Sequence, residues 1–185
     1  MMDMRILFVC TGNIHRSPMA ELLAPGIFRN SSLEFASAGT RGLHGHAIGE
    51  EAAALLRRDH VDEHAIKSFR SRRITPQIAA EADLILCFEA QQRGDIVIES
   101  PMRGRRTFML TDFANIAEAS KANGWLAGDT MAERIDSVID SAGLLRPELP
   151  EAQDVDDPQG MGEEAFAFAH DAIVQLLDRI ARALQ

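Results

Sequence analysis

The sequence contains no tyrosine, one tryptophan and two cysteines, and it lacks long apolar runs. Cys10 and Cys87 are too few and too far apart for a disulfide framework or a paired-cysteine zinc site, so we expect reduced thiols. The first apolar run is too short for a signal-peptide core or a membrane span, which favours a cytoplasmic protein. Because the histidines show no spacing typical of metal ligands, we predict no metal and no other cofactor.

Acidic residues outnumber basic ones, 28 to 19, and give a formal net charge of −9. Such a chain has no general positive field that would draw it to nucleic acid or to anionic lipid, so neither is a predicted partner. The length of 185 residues and the ordinary composition suit one compact domain. We expect a single domain over residues 1–185 with an elaboration at about 113–150, while the oligomeric state stays open.

Short apolar runs alternate with segments of helical periodicity along the chain. Buried strands are predicted at residues 5–9, 33–38, 83–88 and 106–110. Helices are predicted from about Pro18, at residues 48–58 and 131–139, and along the C-terminal segment, with a kink or early end at Pro25-Gly26 and a turn at 143–150. This alternation predicts an α/β fold, a three-layer sandwich with a central parallel sheet of about four strands.

The first predicted strand leads directly into the loop Cys10-Thr-Gly-Asn-Ile-His-Arg-Ser17, after which a helix is expected. Backbone N–H groups of such a loop can converge on an oxyanion, and the guanidinium of Arg16 can bind two of its oxygens. The same positive field stabilises a thiolate, which would make Cys10 a nucleophile. Gly12 and Asn13 are residue types that tolerate the left-handed backbone conformation that this kind of loop needs.

An alternative role for Cys10 has to be weighed, because a free cysteine at a strand end is commonly a small buried apolar residue. Five residues between a cysteine and an arginine do not decide between the two roles. The preceding strand, the Gly-Asn pair and the Ser-Pro-helix sequence together favour a phosphate-binding loop. Its predicted phosphate-binding residues are Thr11, Gly12, Asn13, Ile14, His15, Arg16 and Ser17.

The segment Cys10-Thr-Gly-Asn-Ile-His-Arg-Ser-Pro18 resembles the catalytic loop of the low-molecular-weight protein tyrosine phosphatases. Further segments similar to that family follow in order: Ser37-Ala-Gly-Thr40, His64-Ala65, Ala82-Asp-Leu-Ile-Leu86 and Asp157-Pro158. The resemblance covers nearly the whole chain except about 113–150. It implies an enzyme that hydrolyses phosphotyrosine or a similar aryl phosphate monoester. The implied partner is a phosphorylated protein substrate, for example a bacterial tyrosine kinase.

The resemblance also implies a role for each matching residue. Cys10 would attack phosphorus and form a phosphocysteine intermediate, while Arg16 would bind the transferring phosphoryl group. Ser17 would hydrogen-bond the thiolate, and Asn13 would brace the loop. Asp157 would protonate the leaving oxygen and later activate water. A metal would not be needed, because the loop and the arginine supply the positive field.

Three carboxylates crowd the segment 154–160, which is either a solvated turn or a mobile acidic loop. Asp154, Asp156 and Asp157 all remain alternatives for the general acid when only the residues are considered. The family pattern favours Asp157, because it alone precedes a proline.

The sequence departs from the family at His15, where most members carry a second cysteine that can form a protective disulfide with the nucleophile. We expect His15 to line the back of the loop, and Cys87 to lie in a core strand. The aromatic residues that many members place after the Asp-Pro step are also missing. Phe113, Trp125 or Met161 could form the pocket wall instead, although each could equally be a core or surface residue.

Two other functions remain open. The protein-arginine phosphatases resemble this chain up to the fifth loop position, where they carry threonine, so Ile14 favours an aryl phosphate. A phosphate-binding regulatory module without turnover is the third hypothesis. The presence of Cys10, Arg16 and Asp157 together argues against it, because binding alone needs neither a nucleophile nor a general acid.

Overall fold

The computed structural model describes residues 4–185, which form four strands and eight α-helices. The strands are β1 (Met4–Cys10), β2 (Leu33–Gly39), β3 (Leu84–Cys87) and β4 (Thr107–Met109). The helices are α1 (Arg16–Ile27), α2 (Glu50–Arg58), α3 (Glu63–Ser68), α4 (Pro76–Glu81), α5 (Ala90–Glu99), α6 (Leu110–Ala122), α7 (Met131–Leu145) and α8 (Glu163–Ala183). Residues 1–3, which the predicted domain includes, lie outside the described residues.

The strands form one parallel sheet in the order β2-β1-β3-β4. β1 is an inner strand, and its Val9 pairs with Ala38 of β2 on one side and with Cys87 of β3 on the other. Parallel strands end at the same edge of a sheet, so the loops that follow β1, β2 and β3 lie together. Cys10 ends β1 at this edge.

Helices cover both faces of the sheet, because successive side chains of a strand point to opposite faces. Ile6, Phe8 and Cys10 belong to the larger core, which also includes buried residues of α1, α2, α6, α7 and α8. Leu7 and Val9 belong to the smaller core, to which α4 and α5 contribute. The predicted α/β sandwich with a central parallel sheet of four strands is confirmed.

The helices differ from their predictions at several ends. α1 begins at Arg16, before Pro18, and ends soon after Pro25, as the proline suggested. The turn predicted at 143–150 begins later than expected, since α7 continues through Gly143 to Leu145 and a 3-10 turn follows at Arg146–Glu148. A glycine inside a helix costs only about 1 kcal/mol, and burial of the neighbouring Ala142 and Leu145 compensates for that cost. None of the helices within residues 4–185 is long and apolar enough to span a membrane.

Candidate active site

The loop from Thr11 to His15 joins β1 to α1 and bends sharply at Asn13. Asn13 has a φ of 56°, whereas Gly12 is outside the left-handed region. The prediction of left-handed backbone in this loop therefore holds for Asn13 and is wrong for Gly12. Asparagine can occupy this conformation because its short polar side chain forms local hydrogen bonds.

Gly39, at the end of β2, lets the loop lie directly against the neighbouring strand. A Cβ at this position would be 2.6 Å from the carbonyl oxygen of Thr11 and 2.9 Å from the backbone nitrogen of Asn13. The chain after Gly39 holds the loop by two backbone hydrogen bonds, from Thr40 N to Cys10 O and from Arg41 N to Thr11 O, both 2.9 Å long. In the sequence analysis Gly39 appears only within the segment Ser37-Ala-Gly-Thr40 that resembles the family, with no role of its own.

The buried thiol of Cys10 lies among hydrogen-bond donors. Its Sγ is 3.0 Å from Ser17 Oγ and accepts a hydrogen bond of 3.3 Å from the backbone N–H of Asn13. Ser17 Oγ also accepts from Asn13 Nδ2 at 2.9 Å, so its own proton can point either to the sulfur at 3.0 Å or to the carbonyl oxygen of Ala38 at 3.3 Å. The geometry can therefore stabilise negative charge on Cys10.

The side chain of Asn13 connects the loop to the rest of the domain. Its Nδ2 donates to Ser17 Oγ at 2.9 Å and to Ser37 Oγ at 2.8 Å, and its Oδ1 accepts from the backbone N–H of Arg72 at 2.8 Å. Ser37 Oγ in turn donates to Glu21 Oε2. Burial raises the pKa of Glu21, while the hydrogen bond from Ser37 and the charge of Arg72 oppose this rise. Sequence analysis missed Ser37, Glu21 and Arg72 as supports of the loop.

Arg16 is fully buried at the start of α1, and its guanidinium joins three segments of the chain. Nη1 pairs with the Glu89 carboxylate and donates to the carbonyl oxygen of Val155 at 2.8 Å, and Nη2 is 3.1 Å from Asp157 Oδ2. The ring of Phe88 lies 6.0 Å from Cζ. The carboxylates neutralise the buried charge and fix the orientation of the fork. Sequence analysis predicted Arg16 and Asp157 in the site but missed Glu89 and Val155.

The three acids of the segment 154–160 have different surroundings. Asp157 faces Arg16 and keeps 41% of its side chain exposed. Asp154 Oδ1 accepts a hydrogen bond of 2.9 Å from the backbone N–H of Ala90, at the first residue of α5. Asp156 is exposed, and it forms no ion pair or side-chain hydrogen bond within the part of the chain that the structure describes. The geometry therefore brings Asp157 to the loop and directs Asp154 to a helix end.

The remaining predicted phosphate-binding residues form the rim of the loop, where Thr11, Gly12, Ile14 and His15 are all partly buried. Gln92 donates to the Thr11 hydroxyl at 3.1 Å. The ring of His15 packs edge-on against Phe166 of α8, with 4.9 Å between ring centroids. Burial lowers the pKa of His15, the carboxylates of Asp157 and Glu51 oppose this, and the charge of Arg16 adds to it.

Of the three proposed wall residues, only Met161 lies in the segment that follows Asp157. Met161 is exposed, and its N–H donates to the carbonyl of Pro158 at 3.0 Å. Phe113 is a core residue packed edge-on against Phe108, so the idea that it forms a pocket wall is wrong. Trp125 follows α6, and its backbone N–H donates to the carbonyl oxygen of Ser120 at 2.8 Å.

Cys87 lies in β3, buried in the smaller core on the face of the sheet opposite to Cys10. Burial raises the pKa of the Cys87 thiol to about 12. Its Sγ donates to the carbonyl oxygen of Phe108 at 3.3 Å. Between residues 4 and 185 no group of three or more histidine, cysteine, aspartate or glutamate residues is arranged to hold a metal ion.

The family model described as "Low molecular weight phosphotyrosine protein phosphatase" matches residues 5–124, more than half of the chain. A low molecular weight protein-tyrosine-phosphatase Ptp from Acinetobacter johnsonii is 33% identical over 105 residues, which are 57% of this chain and 70% of the relative. PtpB of the same class, from Staphylococcus epidermidis, is 25% identical over 96% of both chains. The structure of the YwlE arginine phosphatase from Geobacillus stearothermophilus has a TM-score of 0.71 at 26% identity and covers 98% of this chain and 93% of its own.

The chain therefore belongs to the low molecular weight phosphotyrosine protein phosphatase family, and it is a phosphoric monoester hydrolase. The family match includes the loop from Cys10 to Ser17 but ends before Asp157. The assignment of the acid thus depends on the contact between Asp157 and Arg16 rather than on the match.

Proposed function

We propose that this protein hydrolyses phosphotyrosine in proteins through a phosphocysteine intermediate on Cys10. The observation that carries the proposal is the placement of Asp157 within 3.1 Å of Arg16 Nη2. Arg16 belongs to the same loop as Cys10, whose sulfur accepts a hydrogen bond from the backbone N–H of Asn13. A nucleophile, an anion-binding guanidinium and a carboxylic acid thus meet at one sheet edge. A regulatory module that only binds phosphate would need just the second of these groups.

In the first step the phosphoryl oxygens bind the loop N–H groups and Arg16. The Cys10 thiolate attacks phosphorus in line with the phenolic oxygen, so the S–P bond forms as the P–O bond breaks. Asp157 gives its proton to the leaving phenolate. The hydrogen bond from Ser17 lowers the energy of the thiolate, and Asn13 holds the loop in shape.

In the second step a water molecule attacks the phosphocysteine. The Asp157 carboxylate takes a proton from the water while the water oxygen bonds to phosphorus, and the S–P bond breaks. Inorganic phosphate leaves, and the thiolate returns to the hydrogen bonds from Ser17 and Asn13. The positive charge of Arg16 stabilises the equatorial oxygens in both steps, which gives the site a field that other phosphoryl-transfer enzymes take from metal ions.

The pair between Arg16 and Asp157 couples binding to acid catalysis. A bound phosphoryl group competes with the Asp157 carboxylate for Arg16 Nη2. Asp157 is then released toward the leaving oxygen. Glu89 keeps Arg16 in place during this exchange, because it holds the other terminal nitrogen.

Ile14 and the names of the curated relatives support an aryl phosphate as substrate. The apolar side chain of Ile14 offers a phenyl ring a contact surface and offers the guanidinium of phosphoarginine no hydrogen-bond acceptor. The resemblance to the Geobacillus arginine phosphatase makes protein-arginine dephosphorylation the second candidate. We also propose that the protein acts in the cytoplasm on a phosphorylated protein such as a bacterial tyrosine kinase, and that it works as one domain.

Matched peptides that differ only in phosphotyrosine or phosphoarginine test the substrate. We expect kcat/KM to be higher for phosphotyrosine, and a preference for phosphoarginine would contradict the argument from Ile14. The Cys10→Ser variant is the control, because it keeps the loop but loses the nucleophile. It should bind inorganic phosphate without turning over either peptide, and activity near that of the wild type would exclude the thiolate mechanism.

A further inference from the structure

A groove between α2 and α8 opens beside the active site. It encloses about 550 Å³, within the range of roughly 300–1,000 Å³ that ligand sites occupy. Its apolar lining consists of Ala54, Leu55, Phe166 and Ala167. Its acidic lining consists of Glu50, Glu51 and Glu163.

The groove is continuous with the catalytic loop. Phe166, which lines the groove, also packs edge-on against the ring of His15. Gly49, immediately before the groove residue Glu50, donates its N–H to the carbonyl of Ile14 at 3.0 Å. The segment that follows Asp157 runs into the first turn of α8 at Glu163. The groove therefore begins between the loop that holds the nucleophile and the segment that holds the acid.

The acidic residues of the groove leave negative charge available to a ligand. Glu50 pairs with Arg57 at 2.7 Å, whereas Glu51 and Glu163 form no ion pair with any other residue in the range 4–185. Acids in the first turn of a helix are favourable because of the helix dipole, and both α2 and α8 have them. The dipole does not explain why apolar surface lies open between these two turns.

We propose that this groove binds the part of the phosphoprotein substrate next to the phosphorylated residue and selects a lysine or arginine there. Such a side chain matches both features, because its aliphatic stem can pack on Ala54 and Leu55 while its charged end meets Glu51 and Glu163. The inference rests on the proposed function, since it assumes that the phosphate enters the loop. It adds a recognition site that a small aryl phosphate does not reach.

Phosphotyrosine peptides with arginine, alanine or glutamate at each position around the phosphorylated residue test the proposal. We expect the arginine peptide to exceed the glutamate peptide by about 3- to 10-fold in kcat/KM at one or two positions, as exposed charge pairs allow. The preference should weaken as salt rises, because the charges are near the surface.

The double variant Glu51→Lys and Glu163→Lys should abolish or reverse the ratio between the two peptides. The control double variant Glu99→Lys and Glu148→Lys changes two other exposed acids by the same net charge, and it should keep the ratio of the wild type. Equal effects of both double variants would mean that net charge alone sets the preference, and the groove would lose its role.

The variant Ala54→Trp tests occupancy without changing charge, since it fills the groove from the exposed face of α2. It should reduce the preference as well, whereas an unchanged ratio would show that the peptide passes outside the groove. A change of oligomeric state in the groove variants, measured by light scattering, would assign the groove to a second copy and overturn the proposal. If wild type hydrolyses all peptides equally, only the groove inference fails. If it hydrolyses none of them, the proposed function itself is wrong.

Discussion

Three neighbouring carboxylates show how position decides the chemistry of identical side chains. Asp154 accepts a hydrogen bond from the start of α5, and this contact is structural. Asp157 has lone pairs directed at Arg16 and enough exposure to exchange protons with substrate and water. The following Pro158 is buried and has a restricted φ, so it anchors the backbone beside the acid.

The change Asp157→Asn should lower kcat by about 10²–10⁴-fold for phenyl phosphate, because a poor leaving group needs the proton. The loss should be much smaller for p-nitrophenyl phosphate, whose leaving group is already acidic. Steady-state kinetics with both esters measure this dependence. The matched control is Asp154→Asn, which keeps an oxygen for the N–H of Ala90. If Asp154→Asn or Asp156→Asn produced the leaving-group effect instead, the acid would be assigned to the wrong residue.

Gly49 shows how a residue outside the loop fixes a residue within it. A Cβ at Gly49 would overlap the ring of His15, so only glycine lets this ring stand between α2 and Phe166. We expect Gly49→Ala to destabilise the protein by about 1–3 kcal/mol, as overpacking does. The second change His15→Ala should recover most of this loss, and a double-mutant cycle in urea measures the coupling. Simple addition of the two effects would mean that the ring moves aside without cost.

At the scale of elements, the strands could be predicted from the sequence to within one residue at each end. The inner strands β1 and β3 are almost entirely buried, as is expected of a parallel sheet that is covered on both faces. α6 could not be predicted, because it starts directly after the short strand β4 and shares its apolar run. The catalytic loop could be recognised locally, but its supports could not. The bond between Asn13 and Ser37 exists only because β2 pairs with β1, and no local pattern specifies that pairing.

The alternation of side chains along strands also separates the two thiols. Val9 pairs with Cys87 across the sheet, so Cys87 points to the face of Val9 and Cys10 to the other. A disulfide needs Cβ atoms roughly 3.5–4.5 Å apart, and two side chains on opposite faces do not meet this condition.

Peroxide should therefore inactivate the enzyme by oxidising Cys10 to sulfenic and higher acids without forming a disulfide. Mass spectrometry after mild oxidation identifies the modified residue. In peroxide, the variant Cys87→Ser should lose activity at the same rate as the wild type. Recovery of an intact Cys10–Cys87 bridge would contradict the observed arrangement of the sheet. The raised pKa of Cys87, about 12, gives a second check, because alkylation at neutral pH should leave Cys87 intact in the folded protein.

At the scale of the whole molecule, Arg16 holds together segments that are far apart in the chain. Its guanidinium connects the start of α1 with Glu89 before α5 and with the segment from Val155 to Asp157 before α8. The proposed phosphate site and the stability of the fold thus depend on the same buried cation. Removing one partner of a buried ion pair is costly because the other charge stays unpaired, so site and scaffold cannot change independently here.

Ligand binding should consequently be visible as global stability. Inorganic phosphate at 100 times its Kd should stabilise the protein by about 2.7 kcal/mol, which corresponds to a rise in Tm of roughly 5–11 °C for a chain of this size. Cys10→Ser should retain this shift, because the loop N–H groups and Arg16 remain. Arg16→Lys should lose most of it, since lysine keeps the charge but cannot bind two oxygens with one planar group.

Calorimetry of the wild type, Cys10→Ser and Arg16→Lys over a series of phosphate concentrations measures these shifts. Because each shift is taken relative to the same protein without phosphate, a lower Tm of Arg16→Lys in the absence of phosphate does not affect the comparison. An equal shift in Arg16→Lys would mean that phosphate binds elsewhere, for example near the exposed Arg105 of the segment Pro101–Arg106, and that the loop is not the phosphate site.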